Sequence, residues 1–228
     1  ISSITAGKGN AGDINVTTTG DISISGTTPQ STKPAILGNK SSISSTTEGR
    51  GDAGKITLDT QGRGKLLLSG ANLNNSIEKD AVGNSKGIEI SAQSVDLKQG
   101  SFILSENDGQ GDAGNISIKT IGDISISGTN TPSTGSILQE DPKLLVISSI
   151  SSNTNGKGNA GKITIDTQNQ GKFSLSNRAD IVSTIGKNGI GNGNDINISA
   201  REVDIRNEGS IRSDNSGGKG DAGNINIK

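Results

Sequence analysis

Residues 109–127 read GQGDAGNISIKTIGDISIS, and this stretch decides the fold. It opens on a glycine-rich turn, passes into Ile116-Ser117-Ile118, turns again at Gly122-Asp123 and resumes as Ile124-Ser125-Ile126. Apolar and polar residues alternate, which is the period of a strand with one buried face; a helix would need a period of about 3.6. Each run is too short to stand alone, so its partners must come from elsewhere in the chain.

They come from repeats of the same stretch. GKGNAGDINV at Gly7, GRGDAGKITL at Gly49, GKGNAGKITI at Gly156 and GKGDAGNINI at Gly218 share its turn, and AVGNSKGIEI at Ala81 and GIGNGNDINI at Gly189 are degenerate copies. Their first apolar residues are Ile14, Ile56, Ile88, Ile116, Ile163, Ile196 and Ile225, with steps of 42, 32, 28, 47, 33 and 29 residues. Taken in threes the steps become regular: Ile14 to Ile116 is 102 residues, Ile56 to Ile163 is 107, Ile88 to Ile196 is 108 and Ile116 to Ile225 is 109. The chain therefore reads as one unit, residues 1–228, built from three-coil super-repeats over about 7–108 and 109–217, with the next beginning at 218.

Each coil holds three strand-like segments. The first begins at the seven isoleucines above. The second is Ile22 to Ile24, Leu66 to Leu68, Val95 to Leu97, Ile124 to Ile126, Phe173 to Leu175 and Val203 to Ile205. A weaker third falls around Ile43, Leu73, Phe102 to Leu104, Ile147 to Ile150, Ile181 to Val182 and Ile211, which places both phenylalanines in the core. Three strands per coil predict an all-β, right-handed parallel β-helix of six to seven coils. Stacking at about 4.8 Å gives each strand two hydrogen-bonded neighbours and fuses the inward side chains into one column.

That geometry accounts for a composition otherwise near the margin of disorder. Of 228 residues 34 are Gly, only 28% are hydrophobic and 1% aromatic, while 22 basic residues nearly cancel 23 acidic ones. A thin column needs few apolar residues per turn. With no Cys and no His, thiolate and imidazole chemistry and the usual zinc sites are excluded. The balanced charge and scarcity of aromatic rings argue against nucleic acid. No apolar run reaches the roughly 18 residues that span a bilayer. No catalytic group, cofactor or metal site is expected.

Superposing the copies exposes columns. Gly9, Gly51, Gly83, Gly111, Gly158, Gly191 and Gly220 share one position, as expected where a turn needs positive φ or coils approach closely. The next position is always Asn or Asp: Asn10, Asp52, Asn84, Asp112, Asn159, Asn192 and Asp221. Short polar side chains there read as a structural ladder. Calcium is the rival, but adjacent coils never both carry a carboxylate and the ion needs several charged oxygens. A second column, Asp21, Lys65, Ser94, Asp123, Lys172 and Glu202, reads as cross-strand charge pairing. Arg50-Gly51-Asp52 spells an integrin-type tripeptide, yet each position is a variant of the repeat, and GxGxxG occurs without the helix a pyrophosphate needs.

All four prolines, Pro29, Pro34, Pro132 and Pro142, fall in two long insertions, 26–39 and 128–145, in equivalent places three coils apart. These are expected to project from one side, as adhesion loops or as tolerated decoration.

The GxGxAGxIxI repeat, GDISISG at Gly20 and Gly122, and ISAQSVDL at Ile90 with ISAREVDI at Ile198 together resemble the filamentous-haemagglutinin-type exoproteins, especially the repetitive cyanobacterial ones. The resemblance covers essentially the whole chain. It implies export by two-partner secretion through an outer-membrane β-barrel transporter, and a role in adhesion at the outer surface of a Gram-negative cell or in its matrix. The expected function is thus a structural stalk or filament segment, with surface glycans or other cells as candidate partners. Both ends read as falling mid-coil, which predicts further solenoid repeats or like subunits stacked end to end. The alternative is a carbohydrate-binding or polysaccharide-active β-helix of the pectate-lyase kind, for which Glu48, Glu78, Asp80, Glu106, Asp108, Glu140 and Asp141 would be the available acids.

Overall fold

A computed structural model describes residues 1–26, 41–128 and 147–228. Among them every regular element is a strand, and the strands form three parallel sheets wound as a right-handed β-helix. The first sheet stacks Ile14–Thr17, Ile56–Asp59, Ile88–Ala92, Ile116–Thr120, Ile163–Asp166, Ile196–Ser199 and Ile225–Ile227. The second stacks Ile22–Ser25, Lys65–Ser69, Ser94–Lys98, Ile124–Ser127, Lys172–Ser176 and Glu202–Ile205. The third stacks Ser2–Thr5, Ser41–Thr47, Ala71–Ile77, Phe102–Asn107, Ser149–Thr154, Asp180–Ile185 and Ser210–Asn215.

Register follows the repeat. Ile116 pairs with Ile88 on one side and Ile163 on the other, and Ile124 pairs with Val95 and Phe173. Inward residues therefore stack on their own equivalents, and Ile56, Ile88, Ile116, Ile163 and Ile196 are all buried in one continuous core. The outermost strands expose Ile1, Ile4, Ile205, Ile225 and Ile227.

The second coil of each super-repeat is copied down to its hydrogen bonds. Asp59 Oδ1 accepts from Gln61 N–H and Asp166 Oδ1 from Gln168 N–H, each at 2.7 Å. Thr60 and Thr167 donate to the carbonyls of Gly64 and Gly171. Gln61 and Gln168 both sit at positive φ, 53° and 52°. These are Asx turns, the carboxylate mimicking a backbone carbonyl where the chain bends between the first and second strands.

In the third sheet Ile43, Leu73, Ile181 and Ile211 face inward as expected, and the departures are confined to the fourth and fifth strands. Ile103 pairs with Leu73 and Ile150 and points inward, so Phe102 lies half-buried on the outer face against Asn72 and Ser149. Phe173 is fully buried as expected; Phe102 is not a core residue. Likewise the strand expected from Ile147 starts at Ser149, with Ile150 as its inward aliphatic. A shift of one residue exchanges the two faces, and the inward set here is mostly polar. Ser45, Asn75, Ser105, Ser152 and Ser183 form a fully buried column two residues beyond the aliphatic one.

That polar column braces the interior. Ser152 Oγ accepts the Gly161 N–H at 2.7 Å, Ser183 Oγ accepts that of Asn194 at 3.1 Å, and Ser3 Oγ that of Gly12 at 2.7 Å. Asn75 Oδ1 accepts from Gly87 N–H at 2.6 Å and from the Ser85 hydroxyl, while its Nδ2 donates to Gly54 O at 2.7 Å and Ser45 O at 3.2 Å. The third sheet is thereby tied across the core to the turn that leads into the first. Buried hydroxyls stabilise only when paired; Ser45 Oγ and Thr47 Oγ1 have no partner among the described residues.

Candidate functional site

The turn between the third and first strands is the most regular part of the surface. Gly51 has φ of 145°, and a Cβ there would overlap the carbonyl oxygen of Gly9 in the coil below. Gly83 lacks the positive φ that Gly51 has, yet a Cβ there would overlap the Gly51 carbonyl oxygen. Close approach therefore constrains every column glycine that has a coil below it, while Gly9, with open space at Cβ, shows only the positive φ. That approach lets the turn form its own parallel bridges, from Lys8 through Arg50, Val82, Gln110, Lys157 and Ile190 to Lys219.

The Asn/Asp column follows from what those bridges leave over. At each such residue the backbone N–H is donated to a side chain of the preceding coil. Asp52 N–H goes to Asn10 Oδ1 at 2.8 Å, Asn84 N–H to Asp52 Oδ1 at 2.8 Å and Asp112 N–H to Asn84 Oδ1 at 2.9 Å. Asn159 N–H goes to Asp112 Oδ1 at 2.7 Å, Asn192 N–H to Asn159 Oδ1 at 2.9 Å and Asp221 N–H to Asn192 Oδ1 at 3.1 Å. Only Asn and Asp place a carbonyl-type oxygen one methylene from the backbone. The column is thus a ladder, and it runs in one direction.

The same device recurs elsewhere. Asp13 takes the Lys55 N–H, Asn115 that of Lys162 and Asp195 that of Asn224, each at 2.8 Å. In the column expected to pair charges, Asp21 and Asp123 accept the backbone N–H groups of Lys65 and Lys172, each at 2.8 Å, and not their ammonium groups. Lys172 Nζ instead reaches Glu202 at 2.7 Å and Asp204 at 3.0 Å in the next coil, and those two carboxylates raise its pKa.

Beside the ladder lies a polar groove of about 360 Å³. Two places before the first-strand isoleucines the chain has Gly114 and Gly161 in the middle coils, and Lys86 and Asn194 in the compact coils on either side, where they close the groove's ends. Asn84, Asp112 and Asn159 of the ladder line it together with Asn115, and the buried Ala113 and Ala160 form its base.

A second feature is a carboxylate patch at the end of the third sheet. Glu106 and Asp108, two residues apart, lie beside Glu78 of the preceding coil because successive coils stack. Asn155 Nδ2 donates to Glu106 Oε1 at 3.2 Å and to Asp108 Oδ1 at 2.8 Å, and Ser76 Oγ donates to Glu78 Oε1 at 3.1 Å. Burial, followed by the charges of Asp108 and Glu78, raises the Glu106 pKa to about 7 despite the Asn155 hydrogen bond. Glu48, Glu78, Asp108 and Asn155 occupy one column, each bonding its backbone N–H to the coil below, and Glu106 joins it from two residues before Asp108.

The remaining site residues divide simply. The Gly and Asn/Asp columns lie together on one corner. Pro29, Pro34, Pro132 and Pro142, with Glu140 and Asp141, fall outside the described residues, as do nearly all of both insertions. Among the described residues no group of three or more acidic side chains is arranged to hold a metal ion. Fold and surface together define a three-sheet parallel β-helix repeat protein with an Asn/Asp-laddered corner. No family model, curated protein or solved structure matches the chain.

Proposed function

We propose that the chain is a structural section, a stalk or filament segment, of a secreted adhesin of the filamentous-haemagglutinin type. In this proposal it leaves the cell through an outer-membrane β-barrel transporter and serves at the outer surface of a Gram-negative bacterium. The observation that carries it is the use made of the turn side chains. Ladder after ladder of Asn and Asp oxygens holds the backbone of the next coil, so chemistry that could serve a substrate serves register and length. Further coils, in the same chain or in like subunits, would continue the rod.

Electron microscopy of the native protein tests this: unbranched rods of constant width, advancing about 4.8 Å per coil, are expected at the cell surface. Compact particles, or retention inside the cell, would overturn it. A polysaccharide-cleaving role would rest on Glu106, a carboxyl protonated near neutrality beside Asp108, in the acid and base roles such pairs perform. Hydrolase or lyase activity abolished by Glu106→Gln would put that role in place of the stalk.

A further inference from the structure

The groove beside the ladder is built from side chains that are half used. Asn84 Oδ1 is held by the Asp112 N–H at 2.9 Å, Asn115 Oδ1 by the Lys162 N–H at 2.8 Å and Asn194 Oδ1 by the Asp195 N–H at 2.9 Å. Each bond engages the amide oxygen. The Nδ2 group of each makes no hydrogen bond among the described residues, leaving three donors unused on side chains that line the groove. Asp112 adds an acceptor: its Oδ1 takes the Asn159 N–H and Nδ2 at 2.7 and 3.1 Å, while Oδ2 is unused among the described residues.

Charge narrows the ligand. Lys86 and Asp112 contribute one charge of each sign, and the Lys86 ammonium already stands 3.6 Å from Asp13 Oδ1. The groove therefore favours neither an anion nor a cation. Donors and an acceptor interspersed in a neutral channel match hydroxyl groups, each of which both donates and accepts. Its length is set by Lys86 and Asn194, three coil steps or about 14 Å apart. That length suits a short run of linked sugar rings lying along the helix axis.

We infer that this groove binds a neutral polyhydroxylated chain, a glycan strand, through the free amide groups of Asn84, Asn115 and Asn194 and the carboxylate of Asp112. Single-site affinity is low, because the base offers only Ala113 and Ala160 for apolar contact. The Gly, Gly, larger-residue order that bounds the groove also appears as Gly12, Gly54, Lys86 and resumes at Gly223. In that unit, however, Asn10, Asp13 and Lys86 stand where Asp112, Asn115 and Asn194 do here, so the set of amide donors belongs to these coils. The site is independent of the stalk assignment, since a rod without it would still be a rod.

The test uses the 228-residue chain with hexasaccharides of β-1,4-glucan, β-1,3-glucan and mannan, followed through the side-chain amide NMR signals of Asn84, Asn115 and Asn194. At least one hexasaccharide is expected to shift those signals at millimolar concentration. Asn115→Asp keeps the oxygen that the Lys162 N–H needs but replaces the donor, so it should leave thermal stability unchanged and weaken binding about tenfold. Asp112→Asn is the converse variant, retaining the ladder oxygen and removing the carboxylate; it should also weaken binding. No shift with any of the three, undiminished binding by both variants, or tighter binding of hexagalacturonate than of every neutral hexamer would each overturn the proposal.

Discussion

Replacing Glu106 by Gln should make the middle coils more stable at pH 8 and leave them unchanged at pH 4. In the folded chain this carboxyl titrates near 7 against an ordinary 4.5, because burial and the neighbouring Asp108 and Glu78 disfavour its charge. Between those values the folded state holds a proton that the unfolded state has released. Stability therefore falls as pH rises from about 4.5 to about 7 and is level above that. The full displacement corresponds to at most ~3 kcal/mol, and solvent screening of a partly exposed group brings it to about 1–2 kcal/mol. Glutamine keeps the shape and the Asn155 hydrogen bond without the charge. Native-state hydrogen exchange of Phe102–Asn107 and Ser149–Thr154 reads the effect locally. Amides there should exchange about 5- to 30-fold more slowly in Glu106→Gln than in the parent at pH 8, and equally at pH 4. The same ratio at both pH values would refute the assignment of the strain to this charge.

The interior serines give a paired test: Ser152→Ala strands the Gly161 N–H and should cost about 1–3 kcal/mol, whereas Ser45→Ala removes a buried hydroxyl with no partner and should be neutral or stabilising, both read by urea unfolding. Gly111→Ala meets a φ of 138° and the Gly83 carbonyl oxygen, so a loss above about 3 kcal/mol is expected; Gly7→Ala, with open space at Cβ, should leave the melting temperature nearly unchanged. Within the ladder, Asp52→Asn should be silent and Asp52→Ala should cost about 1 kcal/mol by freeing the Asn84 N–H, measured by thermal unfolding.

What could be read from the sequence was what the backbone dictates. Glycines that touch the coil below, and isoleucines that stack on isoleucines, recur because each coil meets the same constraint. The identity of the Asn/Asp column was legible, but not its task, since a side chain reaching the next coil's N–H across 28 to 47 residues leaves no local mark. Of the third strands, Ile43, Leu73, Ile181 and Ile211 were legible, but Phe102–Leu104 reads out of register because apolar Phe102 and Leu104 flank the true inward residue, Ile103, whose inward neighbours are Ser101 and Ser105. Seven copies of an aliphatic followed two residues later by Ser or Asn, from Ile1-Ser2-Ser3 to Ile211-Arg212-Ser213, would have revealed it. Glu78, Glu106 and Asp108 were legible as acids outside the main columns, but not as a patch, because two additional residues between Glu78 and the turn of its coil hide its alignment with Asp108.

The copied turns at Gln61 and Gln168 make the length of the molecule adjustable in discrete steps. Excising residues 62–168 would join Gln61 to Asn169 at matching geometry, φ of 53° meeting its counterpart at 52°. Phe173 would then settle over Ile22, where Leu66 now lies, and Asp21 would receive the Lys172 N–H in place of that of Lys65. The shortened chain should fold and scatter X-rays as a rod about 14 Å shorter; failure to fold would show that the coils are not interchangeable. A lineage carrying such a gene could lengthen or trim its product by unequal recombination, each event moving the tip by one whole notch.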